Sequence, residues 1–293
     1  MGAAAASEGA ATTGRIPRSM ADPRPTTLRH RSWREWFALL PAVGIVAVPA
    51  IVVPAILWAR HTFAVLHPNA DPRIYLTISR AISDPAVGEP FAVWVTIAAA
   101  ILWISVHTIL WMFIAEHPRA PAAVPRHDRI ARGLWPAMWL TMTITCVGMV
   151  MLSHHRLGGD VAVNRLHMLG SYVFFGGQAT TILLAAIYHS LIAPLGTADE
   201  AAFFPARWRA RAGYAVFAAA VVYGIVFKVK SMDLGPATRW IVSVYVELET
   251  LLILVFLSYL AAFFVDVSRF LRRRGAAPTA VAPSEAPTAK RIA

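Results

Sequence analysis

Between Ser153 and His167 the chain reads SHHRLGGDVAVNRLH, three histidines and an aspartate in fifteen residues. Imidazoles and carboxylates are the side chains that bind divalent metals and exchange protons near neutral pH. Others of the same kind lie elsewhere: His61, His67, Asp71, Asp84 and Glu89 before the second apolar run, where Ser83 adds a hydroxyl, and Glu247 with Glu249 in the last one. His154, His155 and His167 are the metal-ligand candidates, with zinc as the ion they would hold. Their spacing matches no H-E-x-x-H pattern, and neighbouring helical histidines point about 100° apart, which argues against one shared ion. Arg156 and Arg165, beside them, suit contact with a lipid phosphate instead. Asp84, His167 and Glu247 are the candidates for acid–base work. Ser83 and Ser153 supply hydroxyls, but neither has an adjacent base in the sequence.

What must position these groups is set by composition. Hydrophobic residues make up 57% of the 293, charged residues 15%, and the mean hydropathy is +0.56. A soluble domain of this length is not built that way; a polytopic membrane protein is. The net charge of +11 comes from arginines in short clusters between apolar runs. That is the pattern that orients membrane proteins, so no nucleic-acid partner is expected. The single cysteine, Cys146, lies inside an apolar run. It rules out an intramolecular disulfide and a cysteine-based zinc site, and reads as small apolar filler.

A helix needs about 20 apolar residues to cross a bilayer. Six runs are candidates: Phe37–Ala59, Phe91–Ala115, Gly133–Ser153, Met168–Ala198, Ala212–Phe227 and Trp240–Val265. The fifth is short at sixteen residues and would span with Arg211 and Lys228 reaching for the interfaces. The first run is too long for a signal-peptide core and is read as a retained anchor. The fold expected is all-α: a six-helix bundle over residues 34–270, between disordered tails at 1–33 and 271–293. With both termini cytoplasmic, seventeen basic residues precede Lys290 on the inner side and eight lie on the outer. The plasma membrane is the expected location. Neither an inverted repeat nor a Walker, Rossmann or G-x-S-x-G signature is present.

In that topology the loops Arg60–Pro90, His154–His167 and Lys228–Arg239 face outward. His61, His154, His155 and His167 then mark helix ends at one depth, with Asp160 between them. Glu247 lies seven residues into the last apolar run, about 10 Å below its outer end. Together these form an outward-facing polar cup. A carboxylate inside a span costs about 2.5–3.5 kcal/mol on insertion scales and therefore faces a cavity or a partner. Glu247 and Glu249 stand about 200° apart around a helix, so one faces the bundle interior and the sequence leaves open which. His107 and His189 lie about 24 and 33 Å below the outer end, depths poorly matched for bis-histidine haem. The stretch GSYVFFGG (Gly170–Gly177) reads as close helix packing.

Three stretches are similar to the Frag/DRAM/Sfk family of six-span membrane proteins, which includes damage-regulated autophagy modulators and a factor in GPI-anchor lipid remodelling. They are ISDPAVGEPFAVWV (Ile82–Val95), RLHMLGSYVFFGGQ (Arg165–Gln178) and YVELETLLILVF (Tyr245–Phe256). The resemblance spans about Phe37 to Phe270, although Glu89 and Pro90 stand in the reverse of the family's order. It implies a role in lipid handling carried by Ser83, Asp84, His167, Gly170 and either Glu247 or Glu249.

The leading expectation is lipid binding, remodelling or distribution without catalysis. Headgroup contacts would come from Ser83, Asp84, His154, His155, Arg156, Asp160, Arg165, His167, Glu247 and Glu249. A membrane-embedded, zinc-dependent lipid hydrolase or transferase is the alternative, and a small proton- or cation-coupled transporter the third. Membrane lipids are the expected partners. No cofactor is required by the first reading, and zinc is the one the residues could hold.

Overall fold

The computed structural model describes residues 33–70, 77–117, 125–158, 160–195, 204–230, 232 and 234–275. The helices are α1 (Trp33–Leu66), α2 (Ile78–Ala81), α3 (Pro85–Ala115), α4 (Pro125–His154), α5 (Val161–Ile192), α6 (Ala206–Val229), α7 (Pro236–Ala261) and α8 (Phe264–Gly275). A single 3₁₀ turn, Ala193–Leu195, extends α5. There is no strand among the described residues. Six segments are long and apolar enough to cross a membrane, as the apolar runs predict. The expected tails lie outside the described residues except at Trp33 and 271–275, where the chain is helical.

Every spanning helix begins a few residues before its apolar run, and two differences bear most on the fold. The fifth span is a helix of 24 residues, not sixteen, because its first turns include Arg207, Arg209 and Arg211. Arg207 and Arg211 are exposed, while Arg209 is buried against Asp266 of α8 in an ion pair. Charge therefore hid a helical segment that pairing makes tolerable. The sixth span is divided: α7 ends at Ala261 and α8 resumes at Phe264.

Two aspartates fix helix starts. Asp84 accepts the Ala86 N–H at 2.8 Å to cap α3, whose first residue is Pro85. Asp160 accepts the Ala162 N–H at 2.7 Å to cap α5. Each satisfies a backbone donor that the helix itself leaves open, and proline at the first position has no such donor to lose.

The α4–α5 contact rests on absent side chains. A Cβ on Gly148 would lie 2.6 Å from the Phe174 nitrogen, one on Gly170 2.6 Å from the Leu152 nitrogen, and one on Gly177 2.4 Å from Thr145 Oγ1. Thr181 crosses the same contact, donating to Thr141 Oγ1 at 2.9 Å. Small residues and interhelical hydroxyls hold helices together where lipid supplies no hydrophobic drive. Around the outside, Trp94, Trp103, Trp111 and Trp139 are exposed, as a lipid-facing surface permits.

Six crossings place the α1–α2, α4–α5 and α6–α7 connections at one end of the bundle, here called the histidine-rich end. The other end carries the arginine clusters around α4, α6 and α8.

Candidate functional site

At the histidine-rich end most of the expected polar residues secure helix ends. His167 is buried, and its Nδ1 donates to the carbonyls of Leu152 (2.9 Å) and His155 (2.7 Å) at the close of α4. Two carbonyl partners place the proton on Nδ1, leaving Nε2 an acceptor. His154 Nε2 donates to Thr96 Oγ1 at 2.9 Å, tying α4 to α3. His155 contributes its carbonyl. Arg156 forms an ion pair with Glu89 at 3.6 Å and lies where a Cβ on Gly88 would come within 2.3 Å of its Cδ. Asp160 is a helix cap, Arg165 is exposed, and Ser153 donates to the Val150 carbonyl at 2.9 Å. No group of three metal-ligating side chains comes together among the described residues.

Asp84 has a second partner. Its Oδ2 accepts from His67 Nε2 at 2.8 Å. That hydrogen bond, with the Ala86 N–H, holds the carboxyl below its usual range. Beside it is a surface pocket of about 490 Å³, with Phe63 and Leu66 on an apolar side and His67, Asn69, Arg80 and Ser83 on a polar one. Ser83 Oγ donates to the Arg80 carbonyl at 2.7 Å. Asp71 lies outside the described residues, and His61 is exposed.

The question of the two glutamates is resolved by packing. Glu247 is exposed, whereas Glu249 is 3% exposed and Oε2 accepts the backbone N–H of Ile78 at 3.1 Å. Arg60 of α1 and Lys230, just past α6, are the cations that act on its charge. Arg60 also donates to the Val246 carbonyl at 3.4 Å. The Lys230 ammonium lies 3.4 Å from the ring centre of Tyr245 and 4.4 Å from that of Phe227. Tyr223 donates to the Tyr245 hydroxyl at 3.3 Å, and both rings are buried. Burial pushes the Lys230 ammonium down to about 8, against the pull of Glu249.

This cluster gathers the buried Glu249, Tyr223 and Tyr245 with the half-buried Arg60 and Lys230, and only its glutamate was a candidate from sequence. A signal for Lys230 was present. Lys228 and Lys230 are two apart after an apolar run, so a helical continuation turns one of them inward, as with the glutamates. Arg60 carried no such mark.

From the cluster a cleft of about 300 Å³ runs between α5 and α6, lined by Tyr172 and Phe175 on one side and Phe217, Tyr223 and Phe227 on the other. Away from this end, His107 packs between Trp103 and Trp139, and His189 among Phe113, Tyr188 and Phe263. The two share no ring neighbour among the described residues.

Fold and composition define a multi-pass helical membrane protein with a buried charge cluster at one end. No protein-family model matches the chain, no curated protein does, and neither does any solved structure.

Proposed function

We propose that the protein binds an anionic lipid of the outer leaflet and acts in lipid handling without catalysis of its own. The observation that carries this reading is the charge balance of the buried cluster. Two cations, Arg60 and Lys230, act on the charge of one carboxylate, Glu249, and neither forms an ion pair with it or with any other carboxylate among the described residues. A partly buried excess of positive charge favours an anion that brings its own hydrogen-bond acceptors. The arginine bias toward the opposite end supports an outward orientation, in the plasma membrane, and the resemblance to the Frag/DRAM/Sfk family supports lipid as the ligand. The residues that would meet the headgroup are Lys230, Arg60 and Tyr245 more than the capping residues Asp84, Asp160 and His167.

The test is native mass spectrometry of the protein from nanodiscs containing equal phosphatidylcholine and phosphatidylglycerol. Retention of phosphatidylglycerol above its share, reduced in Lys230→Gln and Arg60→Gln, supports the reading. Equal retention of both lipids by wild type sinks it.

A second reading, a lipid hydrolase or transferase, has the His67–Asp84 pair in its favour, since a carboxylate-oriented imidazole beside an open pocket is a general-base arrangement. Lipid turnover by purified protein that His67→Ala abolishes would establish it. Stoichiometric zinc, lost from a His154/His155/His167→Ala variant, would make that enzyme metal-dependent.

A further inference from the structure

Resting on the anionic-lipid reading, we propose that the cleft between α5 and α6 seats one acyl chain of the phospholipid whose phosphate meets Lys230. Four observations converge on it.

The first is length. The cleft follows α5 from Ser171 to Thr180 and α6 from Phe217 to Phe227. At 1.5 Å per residue each wall is about 14–15 Å long. Half a bilayer's hydrocarbon core is about 15 Å, so the cleft matches the depth of one leaflet.

The second is what keeps it open. Gly176 of α5 and Gly224 of α6 both line the cleft, and a Cβ on either would meet nothing within 4 Å. On the same helix, Gly170 and Gly177 are pressed against α4. Gly176 therefore has no role in helix contact that its missing side chain would explain, whereas the cleft would be narrowed by any larger residue.

The third is the lining. Aromatic rings form both walls, with Tyr172 edge-on to Phe227 at 5.5 Å and Phe175 against Tyr223 at 4.9 Å. Such walls are firm and apolar, which suits a methylene chain.

The fourth is charge at one end only. Phe227 lines the cleft and also lies under the Lys230 ammonium. A chain in the cleft thus leads to a cation held at its mouth. A sterol or a neutral chain would make no use of that ammonium; a phospholipid phosphate would.

The test uses the full-length protein in the same mixed nanodiscs, with phosphatidylglycerol as the probe. Gly176→Leu and Gly224→Leu fill the cleft, and Gly224→Ala is a milder control. Each leucine variant is expected to retain at least tenfold less phosphatidylglycerol while its melting temperature stays at or above the wild-type value. If wild type retains phosphatidylglycerol and the leucine variants retain as much, the acyl-chain proposal is overturned and the headgroup reading stands. If wild type shows no preference at all, both fall. Should a leucine variant misfold, phosphatidylglycerol carrying a photoreactive acyl chain, used on wild type, decides the matter. Crosslinks concentrated on 171–180 and 217–227 support the cleft; crosslinks spread evenly over the six spans overturn it.

Discussion

Glu249 Oε2 accepts the Ile78 backbone N–H at 3.1 Å, joining a glutamate buried in α7 to the first residue of α2 across 171 positions of sequence. The bond adds to the Thr77 cap and the buried Ile78 and Ala81 side chains that hold a four-residue helix, and it gives one carboxylate oxygen a partner where lipid would offer none. Glu249→Ala leaves that N–H without its acceptor and removes the negative charge near Arg60 and Lys230. The expected cost is about 3 kcal/mol, the scale of an uncompensated buried charge. Glu249→Gln keeps an acceptor and should cost less, and Glu247→Gln, which strips no buried donor of its partner, should cost least. Denaturant titration in mild detergent measures all three. Equal losses for Glu247→Gln and Glu249→Ala would contradict the assignment of the inward face.

Lys230 makes binding sensitive to pH. Its ammonium titrates at about 8 in the folded protein against an ordinary 10.5. Between those values the unfolded chain holds the proton and the folded one does not, so stability from this group rises with pH across the window. Lipid binding runs the other way: phosphatidylglycerol retention should fall roughly tenfold as pH passes 8, the worth of one charge-assisted hydrogen bond. Lys230→Arg should retain the lipid through pH 9.5, because guanidinium does not deprotonate there. A wild-type profile that is flat to pH 9.5 counts against a headgroup on Lys230.

His167 is expected to matter for folding more than for any proton transfer. His167→Ala strips both the Leu152 and His155 carbonyls of a buried donor, at a cost of about 1–3 kcal/mol. His154→Ala loses only the contact to Thr96 and should cost less. Melting temperatures in one detergent rank the two. Should His154→Ala prove the more damaging, the closing of α4 by His167 is not what holds that loop.

Asp84 links a helix cap to a hydrogen bond with His67. Asp84→Ala should cost about 1 kcal/mol through the lost cap of α3. Because its carboxyl titrates below the usual 3.8, the contribution is present above that value and is lost as pH falls through the lower, folded value. The stability difference between wild type and Asp84→Ala should therefore be full at pH 6 and narrow as pH falls below 3.8. Asp84→Asn, which keeps the cap acceptor, should sit between them at pH 6.

The six spans were legible in the apolar runs, and the small-residue pattern Gly170–Gly177 correctly announced a close helix contact. Less legible was everything that depends on which neighbour a polar group finds. Asp84 and Asp160 read as candidate chemistry, yet each precedes a helix and caps it; Asp84-Pro85 is itself a helix-start signal. Arg207, Arg209 and Arg211 made α6 look too short, since periodicity and hydropathy cannot see that Asp266 is waiting 57 residues later. Arg60, Lys230 and the two tyrosines around Glu249 come from three separate helices, α1, α6 and α7, or their ends. Their meeting is set by bundle packing, which no local pattern encodes.

The Arg209–Asp266 pair also bears on how the chain is made. Synthesis proceeds from the N-terminus at about 5–20 residues per second, so α6 exists for several seconds before α8 does. During that interval Arg209 lacks the carboxylate it meets in the finished fold, and α6 cannot settle into its final burial. The fifth helix is thus a provisional tenant of the bilayer, licensed only when the last segment arrives. Biogenesis of this bundle must end with α6, α7 and α8 closing together, whatever order the first four helices follow.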